Sequence, residues 1–354
     1  MAVFRASRSE LEAAGIAGGV AQSVASGCSF EDAALQREKM LADGTALVAL
    51  SDPRYPPKLR EVFDPPVVLF ARGREELLGS LMLGVVGSRR PTPYGTAVAE
   101  RLGADLARAG LTVVSGMARG IDTAAHKGAL SAGGDTVAVL GCGVDVVYPA
   151  ENRRLAAEIA EKGLVLSEFP MLSPAYPQNF PIRNRIISGM SSGVVVVEGA
   201  QYSGAAITAK LAMDQGREVF AVPGNITSKL SWGPNLLIKQ GAKLVQDWND
   251  VVEELPADVR VELARRGRER LLPGLEGAPE SAGERGTANA TSPELTKTSR
   301  DVLAGLQADR AIHVDQLLET MTGCSSSEII AALFDLEMLG LVRQLPGRNF
   351  VKVW

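Results

Sequence analysis

The chain has 354 residues, enough for more than one domain, and its 46% hydrophobic and 22% charged residues are ordinary for a globular protein. Its net charge of −4 excludes a protein coated in positive charge, although a local basic groove is compatible with that balance. Three widely separated cysteines without a C-x-x-C pair, together with two histidines, argue against a zinc site or a disulfide framework, and we expect no metal or other cofactor.

The first ten residues lack the apolar core of a signal peptide, and no apolar run approaches the length of a membrane span. We therefore expect a cytoplasmic protein without membrane contacts. Residues 1–70 predict a short N-terminal helical region, with its clearest amphipathic helix at 30–42. Short strands are predicted at 46–50 and 67–70, separated by proline-marked turns.

Residues 71–255 alternate short β-branched strands with helices. The predicted strands are 81–86, 112–114, 136–140, 164–166, 194–198, 218–222 and 243–245. The predicted helices are 95–109, 121–132, 151–161, 182–190, 205–215 and 235–240. Near-continuous apolar runs suit strands that are covered on both faces. The pattern predicts an α/β fold: an extended, doubly wound, mainly parallel sheet with right-handed crossovers.

The C-terminal part of the chain divides into a linker and a small domain. Residues 256–293 combine an arginine-rich run at 265–270 with a Gly-, Pro- and Ser-rich stretch, which is typical of a flexible linker. Residues 294–354 predict three helices and a hairpin, the order of a winged helix-turn-helix. Ser325 and Glu328 have the spacing of a capping box at the start of the third helix.

Ligands of a doubly wound sheet bind at the carboxyl ends of its strands, so the residues that follow each strand are the informative ones. Polar and glycine-rich loops follow three of the strands. They contain Gly87, Ser88 and Arg89, then Ser115, Gly116 and Arg119, then Ser203 and Gly204. Each loop alone is compatible with a tight turn. Together they predict a polar rim, with a phosphate cradle of backbone amides near Ser115 and Gly116.

The segment 179–188 adds an aromatic ring and two guanidinium groups to the same rim. Phe180 is expected to offer a face on which a base stacks, and Arg183 and Arg185 are expected to bind phosphate oxygens. A helix start with Phe180 in the core and both arginines in solvent is the alternative. The convergence of the loops on one rim favours the binding site.

Signatures of catalysis are missing from the sequence. It contains no G-x-S-x-G, H-E-x-x-H or P-loop motif, and no complete G-x-G-x-x-G, so neither a catalytic residue nor NAD binding is predicted. Asp122 and His126 have the spacing of a helical pair, which is expected to stabilise the helix. Glu168 and Glu198 are candidate acid or base carboxylates, but no second group works with either.

An ordered set of motifs across about residues 50–250 resembles the DNA-processing protein A family (DprA, also called Smf). The motifs are Val86-Gly87-Ser88-Arg89, Tyr94-Gly95, residues 115–122 with Ala125-His126, residues 139–143 with Tyr148-Pro149, residues 167–170, residues 180–187, Ser203-Gly204, and residues 222–224 through Gly241-Ala242. The resemblance implies a Rossmann-like core that binds single-stranded DNA without catalysis. It also implies a homodimer that protects incoming strands during natural transformation and helps to load RecA recombinase.

Carried onto this chain, the resemblance and the loops give one set of expected DNA-binding residues: Gly87, Ser88, Arg89, Ser115, Gly116, Arg119, Phe180, Arg183, Asn184, Arg185, Ser203 and Gly204. By the same resemblance, Leu236, Leu237 and Ile238 are expected at the dimer interface, although they are equally explained as core. The N-terminal region is short for the helical, SAM-like domain that usually precedes such a core. The third helix of the winged-helix domain contains acids and no Arg or Lys, which disfavours insertion into a DNA groove.

Two alternatives remain open from the residues. A phosphoribohydrolase-like enzyme shares the Rossmann-like core, but its P-G-G-x-G-T-x-x-E motif is replaced here by the sequence that runs from Glu198 to Gly204. A winged-helix transcription regulator would require sequence-specific binding of duplex DNA.

Overall fold

The computed structural model describes residues 3–27, 30–257, 259–261, 263, 297–306, 312–321, 325–338, 341–345 and 349–352. The chain forms two compact units, Met1–Leu271 and Leu272–Trp354. The arginine-rich run at 265–270 lies outside the described residues. Within the described ranges, no helix is long and apolar enough to cross a membrane.

One large sheet organises the first unit. Its strands in the described residues are β1 (Ala46–Ala49), β2 (Val68–Gly73), β3 (Met82–Val86), β4 (Thr112–Ser115), β5 (Thr136–Val139), β6 (Leu164–Ser167), β7 (Gly193–Val196), β8 (Glu218–Ala221) and β9 (Lys243–Leu244). Their order across the sheet is β1-β2-β6-β5-β4-β3-β7-β8-β9. In this spatial order, every pair of neighbours between β6 and β9 is parallel. At the other edge, β2 pairs antiparallel with β6, and β1 pairs antiparallel with β2.

The strand order confirms the predicted doubly wound sheet. From β3 the chain proceeds through β4, β5 and β6 in one direction, and then returns to place β7 on the other side of β3. The carboxyl ends of β3 and β7 therefore flank the switch point, where the connecting loops diverge and leave a crevice for ligands.

Helices cover both faces of this sheet. In the described residues of the first unit they are α1 (Arg8–Ala13), α2 (Gly18–Ala25), α3 (Phe30–Asp43), α4 (Pro57–Arg60), α5 (Pro93–Arg108), α6 (Ile121–Ser131), α7 (Arg153–Lys162), α8 (Asn179–Met190), α9 (Gly204–Asp214), α10 (Trp232–Lys239) and α11 (Asn249–Glu253). Strand β3 illustrates the two layers, because Met82 and Val86 join a core with α8 and α9, whereas Leu83 and Val85 join a core with α5 and α6.

The core extends beyond the predicted boundaries at both of its ends. Strands β1 and β2 pair with the sheet, so it begins at Ala46, inside the range predicted as the N-terminal helical region. Val259 and Leu263, at the start of the predicted linker, are buried in the core that contains α5 and α11. From residue 264 to residue 293 the predicted linker lies outside the described residues.

The second unit has the elements of a winged helix. Its described elements are α12 (Lys297–Gly305), β10 (Ile312–His313), α13 (Val314–Thr320), α14 (Ser326–Met338), β11 (Val342–Leu345) and β12 (Asn349–Lys352). The strands form an antiparallel sheet in the order β10-β12-β11. The predicted capping box is confirmed, because the Ser325 amide donates to Glu328 at 2.7 Å and the Glu328 amide donates to Ser325 Oγ at 3.3 Å.

A buried carboxylate joins the end of β7 to the start of α5. Glu198 is 2% exposed, and its two oxygens accept hydrogen bonds from the Thr92 amide at 2.8 Å and the Thr92 hydroxyl at 2.6 Å. Thr92 also caps α5 by accepting from the Gly95 amide. A Cβ at Gly95 would collide with this carboxylate. Glu198, a candidate acid or base in the sequence, is thus a structural anchor beside the switch point.

We expect Glu198→Ala to lower the free energy of unfolding by about 1.5–3 kcal/mol, because it leaves the Thr92 donors without their charged acceptor. Urea denaturation measures the effect. Glu218→Ala, which removes an exposed carboxylate from β8, is the control and should change stability by less than about 0.5 kcal/mol. Equal stability of both variants would contradict the anchoring role.

Candidate nucleic-acid interface

An open pocket of about 530 Å³ lies at the switch point between β3 and β7. The loops after these two strands and the first turns of α8 form its walls. Eight of the residues predicted from the sequence line it: Gly87, Ser88, Arg89, Phe180, Arg183, Asn184, Ser203 and Gly204. The predicted convergence of the loops on one rim is therefore present in the fold. The volume is in the range that small ligands occupy.

Arg89 and Phe180 form a stacked pair at the edge of the pocket. Arg89 is exposed, and its guanidinium carbon lies 5.2 Å from the centre of the Phe180 ring. Phe180 is half-buried and packs against Gly141, where a Cβ would approach the ring to 2.9 Å. The ring therefore supports an exposed cation through a cation–π contact, and it is less open to a base than the sequence predicted.

Arg183 contacts the same ring, with its guanidinium carbon 5.9 Å from the centre of Phe180, and is only 4% exposed. Its Nη1 donates to the Gly116 carbonyl at 2.7 Å and also to the Val139 carbonyl, and its Nε donates to Asn184 Oδ1 at 3.2 Å. Burial lowers the pKa of Arg183 to about 10, so the group stays charged at neutral pH. Arg183 thus places a positive charge in the floor of the pocket while its side chain holds the loops together.

The backbone amides that were predicted to cradle a phosphate already bind a carboxylate of the chain. The amides of Gly116 and Ala118 donate to Asp122 Oδ2 at 3.1 and 3.3 Å. Met117 between them has a φ of 57°, the left-handed conformation that turns both amides toward one anion. Ser115 is fully buried, and its hydroxyl donates to the Val85 carbonyl at 2.6 Å. This loop is therefore a structural element as it stands, and the predicted cradle is occupied by Asp122.

Two predicted arginines lie outside the main pocket. Arg185 pairs with the half-buried Glu168 and lies 3.6 Å from Asp64, on the side of α8 that faces α4. Burial is the main cause that raises the pKa of Glu168, and Arg185 opposes it. Arg119 lines a smaller hollow beside the pocket and pairs with the exposed Glu151.

Ser203 and Gly204 occupy the opposite wall. Ser203 caps α9, where its hydroxyl accepts from the Ala206 amide at 3.3 Å. Asn184 reaches across from α8 and donates to the Gly204 carbonyl at 3.5 Å. A Cβ at Gly204 would meet open space. The wall is thus built by the start of a helix, where the first amides have no acceptor within the helix and the dipole favours an anion.

Tyr148 is a pocket residue that the sequence marked only as part of a family motif. It lines both the pocket and the smaller hollow, and its ring centre lies 5.5 Å from that of Phe180. Its position could not be predicted, because it depends on how the loop between β5 and α7 packs against the start of α8.

The expected pair of Asp122 and His126 does not form. His126 is completely buried, and its Nδ1 lies 2.7 Å from Thr136 Oγ1. The Thr136 hydroxyl donates to the Val113 carbonyl, so His126 Nδ1 is the donor to Thr136. Burial lowers the pKa of His126 to about 3, which keeps the ring neutral. Neither residue has the geometry of an acid–base dyad with the other.

The family model described as DNA recombination-mediator protein A matches residues 46–256, which is more than half of the chain. The model of the DprA winged helix domain matches residues 286–348. The chain belongs to the DNA-processing protein A family. This assignment confirms the resemblance in the sequence motifs.

Relatives and solved structures agree with this family. Protein Smf of Synechocystis is 38% identical over 315 residues, which cover 84% of this chain and 78% of the relative. The X-ray structure of DNA processing protein A from Streptococcus pneumoniae superposes with a TM-score of 0.63 at 41% identity, and it covers 68% of this chain and 83% of that one. A DNA processing protein A structure from Helicobacter pylori superposes with a TM-score of 0.55 at 28% identity, and it covers 60% of this chain and 97% of that one. The study of that protein concerned its single-stranded DNA binding mode.

We expect the stability of this DNA-processing protein to fall at acid pH partly because of His126. The pKa of His126 is lower in the folded state than in the unfolded state, so protonation favours unfolding. Its contribution is complete above about pH 6.5 and is lost as the pH falls from there toward about 3, by at most ~1.4 kcal/mol per pH unit.

Urea denaturation between pH 7 and pH 4 tests this expectation. His126→Gln should show a shallower loss of stability on acidification than the wild type, whatever its stability at pH 7. Parallel curves for the two proteins would contradict it.

Proposed function

We propose that this protein binds single-stranded DNA at the switch-point pocket, and that it contributes to DNA processing by binding the strand and not by catalysis. The observation that carries the proposal is the exposed Arg89 guanidinium, which lies over the Phe180 ring, together with the buried charge of Arg183 at the same ring. The single-stranded DNA binding of the Helicobacter pylori relative supports the same ligand.

Arg89 is the group best suited to bind phosphate. It is exposed at the pocket edge, whereas Arg183 is buried and Arg185 and Arg119 are paired with carboxylates. Arg183 adds a positive charge in the lining of the pocket, and its Nη1 already donates to the Gly116 and Val139 carbonyls. Capture is therefore electrostatic and largely independent of sequence. Each phosphate that the protein neutralises on a single strand would add about −0.7 to the log–log salt slope.

The shape of the pocket favours a single strand over a duplex. A pocket at the switch point admits a nucleotide that projects from its strand, and a base within a duplex must first be unpaired and unstacked at a cost of a few kcal/mol. A single strand presents such nucleotides without that cost. The N-terminal amides of α9 on the opposite wall favour anions as well.

The carboxylates near the pocket support a role without catalysis. Asp122 accepts from two loop amides, Glu198 accepts from Thr92, and Glu168 is paired with Arg185. Each is engaged in holding the fold, and within the described part of the chain none has a second acid or base in hydrogen-bond reach. This disfavours the phosphoribohydrolase-like alternative. Among the described residues, no group of His, Cys, Asp and Glu is arranged to hold a metal.

Beyond strand binding, we propose the family's wider role: protection of incoming DNA and loading of RecA by a cytoplasmic homodimer. The expected interface around α10 and β9 needs adjustment. Leu237 is buried in the core at 8% exposure, so it is not available to a partner chain. Leu236 and Ile238 are half-buried, and Leu244 is exposed on the edge strand β9. These three residues are the better candidates.

The winged-helix unit supports an accessory role. Its helix α14 carries Glu328, Asp335 and Glu337 and no Lys or Arg, and like charges repel phosphates. It also exposes Ile330 and Phe334, which suits a contact with protein better than a DNA groove. A transcription regulator that reads duplex DNA through this helix is therefore disfavoured.

Arg89→Ala is expected to weaken binding to labelled oligo-dT and to make the log–log salt slope less negative by about 0.7, the share of one phosphate contact. Fluorescence anisotropy across salt concentrations measures both. Arg89 is a cleaner target than Arg183, whose removal would leave buried carbonyls without their donor.

Two matched variants complete the test. Arg108→Ala removes an exposed guanidinium at the far end of α5 and should leave affinity and slope unchanged. Arg185→Ala should lower stability, because Glu168 loses its partner, but should keep the wild-type slope. If Arg89→Ala binds like Arg108→Ala, the pocket is not the DNA site.

A further inference from the structure

Phe180 has little free surface for a base. The guanidinium carbons of Arg89 and Arg183 lie 5.2 and 5.9 Å from its ring centre, and Gly141 and Tyr148 pack against it. These neighbours surround the ring on several sides. A base that stacked on Phe180 would have to displace the guanidinium that binds its own phosphate. The geometry assigns Phe180 to holding Arg89 in place.

Tyr148 has the free aromatic surface that Phe180 lacks. Its side chain is 39% exposed, and its ring is tilted by 37° from that of Phe180 at a centre-to-centre distance of 5.5 Å. It lines the main pocket on one side and the smaller hollow on the other. Arg89 and Arg119 line the same hollow, so two cationic groups share it with the Tyr148 ring.

The backbone around Tyr148 is held firmly. The next residue, Pro149, accepts a hydrogen bond from the Asn152 amide at 3.0 Å. The buried Asn152 side chain donates to the Met117 carbonyl at 2.9 Å and to Thr123 Oγ1 at 2.8 Å. Tyr148 is thus attached to the same loop that Asp122 and Arg183 hold. A ring on a fixed backbone loses little conformational entropy when a base stacks on it.

We propose that Tyr148 is the base-stacking residue of the pocket, and that Phe180 is a positioning residue for Arg89; this rests on the proposed binding of single-stranded DNA. A nucleotide of the strand places its base on the Tyr148 ring and its phosphate at Arg89. Arg119 can receive a neighbouring phosphate when it releases Glu151, because that ion pair is exposed and weak. Stacking on one ring accepts any base, which agrees with binding that is insensitive to sequence.

A comparison of two ligands separates stacking from charge. One ligand is labelled oligo-dT, and the other is an abasic deoxyribose-phosphate oligomer of the same length and charge. Tyr148→Leu, which keeps apolar bulk without a ring, should lose roughly 5- to 100-fold in affinity for oligo-dT. It should bind the abasic oligomer like the wild type. Tyr148→Phe should bind both ligands within about twofold of the wild type.

Arg89→Ala is the matched variant, because it should weaken both ligands by the same factor. Phe180→Leu should resemble Arg89→Ala, since it removes the support of the guanidinium but no stacking surface. A 2-aminopurine placed in the oligomer should lose emission on binding to the wild type, and should lose less on binding to Tyr148→Leu.

The proposal is overturned if Tyr148→Leu weakens both ligands equally, or neither. It is also overturned if Phe180→Leu shows the base-dependent loss that is expected of Tyr148. Wild-type protein that binds neither ligand would instead refute the proposed function, and the stacking role with it.

Discussion

The buried guanidinium of Arg183 is the interaction on which the rest of the site depends. It joins three segments that are distant in sequence, because α8 carries the side chain while the ends of β4 and β5 supply the acceptors Gly116 and Val139. Burying a charge costs several kcal/mol unless it is compensated. Here two carbonyls and the attraction of Asp122 provide the compensation. The close packing also explains why a glycine occupies position 116, because a Cβ on Gly116 would overlap the Arg183 guanidinium.

From this centre the pocket is built outward in two layers. The inner layer balances Arg183 against Asp122, whose carboxylate fixes the loop amides and thereby occupies the place of an external anion. The outer layer is Arg89, which is exposed and whose guanidinium lies over the Phe180 ring. A protein with a net charge of −4 can attract a polyanion in this way, because the local field near a site matters more than the overall charge.

Much of the fold was predictable from the sequence. The alternation of β-branched runs and helices indicated the parallel sheet, and the rule that ligands bind at carboxyl strand ends selected the rim on which the pocket lies. Ser325 and Glu328 identified the start of α14. The directions of individual side chains were harder to predict from the sequence. Arg183 and Arg185 are two positions apart on α8 and therefore lie on different faces, so one points beneath the pocket and the other toward Glu168.

Other features depend on which side chains meet in the folded chain, and a pattern of residue types does not contain that information. The glycine-rich loop after β4 is typical of a phosphate cradle, yet the acid that occupies it is six residues beyond Gly116. His126 and Asp122 have helical spacing, but Thr136 on the neighbouring strand β5 gives His126 a better partner. Tyr148 is a candidate binding residue only because the fold packs its ring against Phe180.

The most direct test of this account is a crystal structure of the protein with a short oligo-dT strand. We expect a phosphate within about 2.7–2.9 Å of the Arg89 guanidinium, a base against Tyr148, and Asp122 still bound by the amides of Gly116 and Ala118. A strand that binds away from the switch-point pocket would contradict the account. So would a phosphate on those two amides with Asp122 displaced.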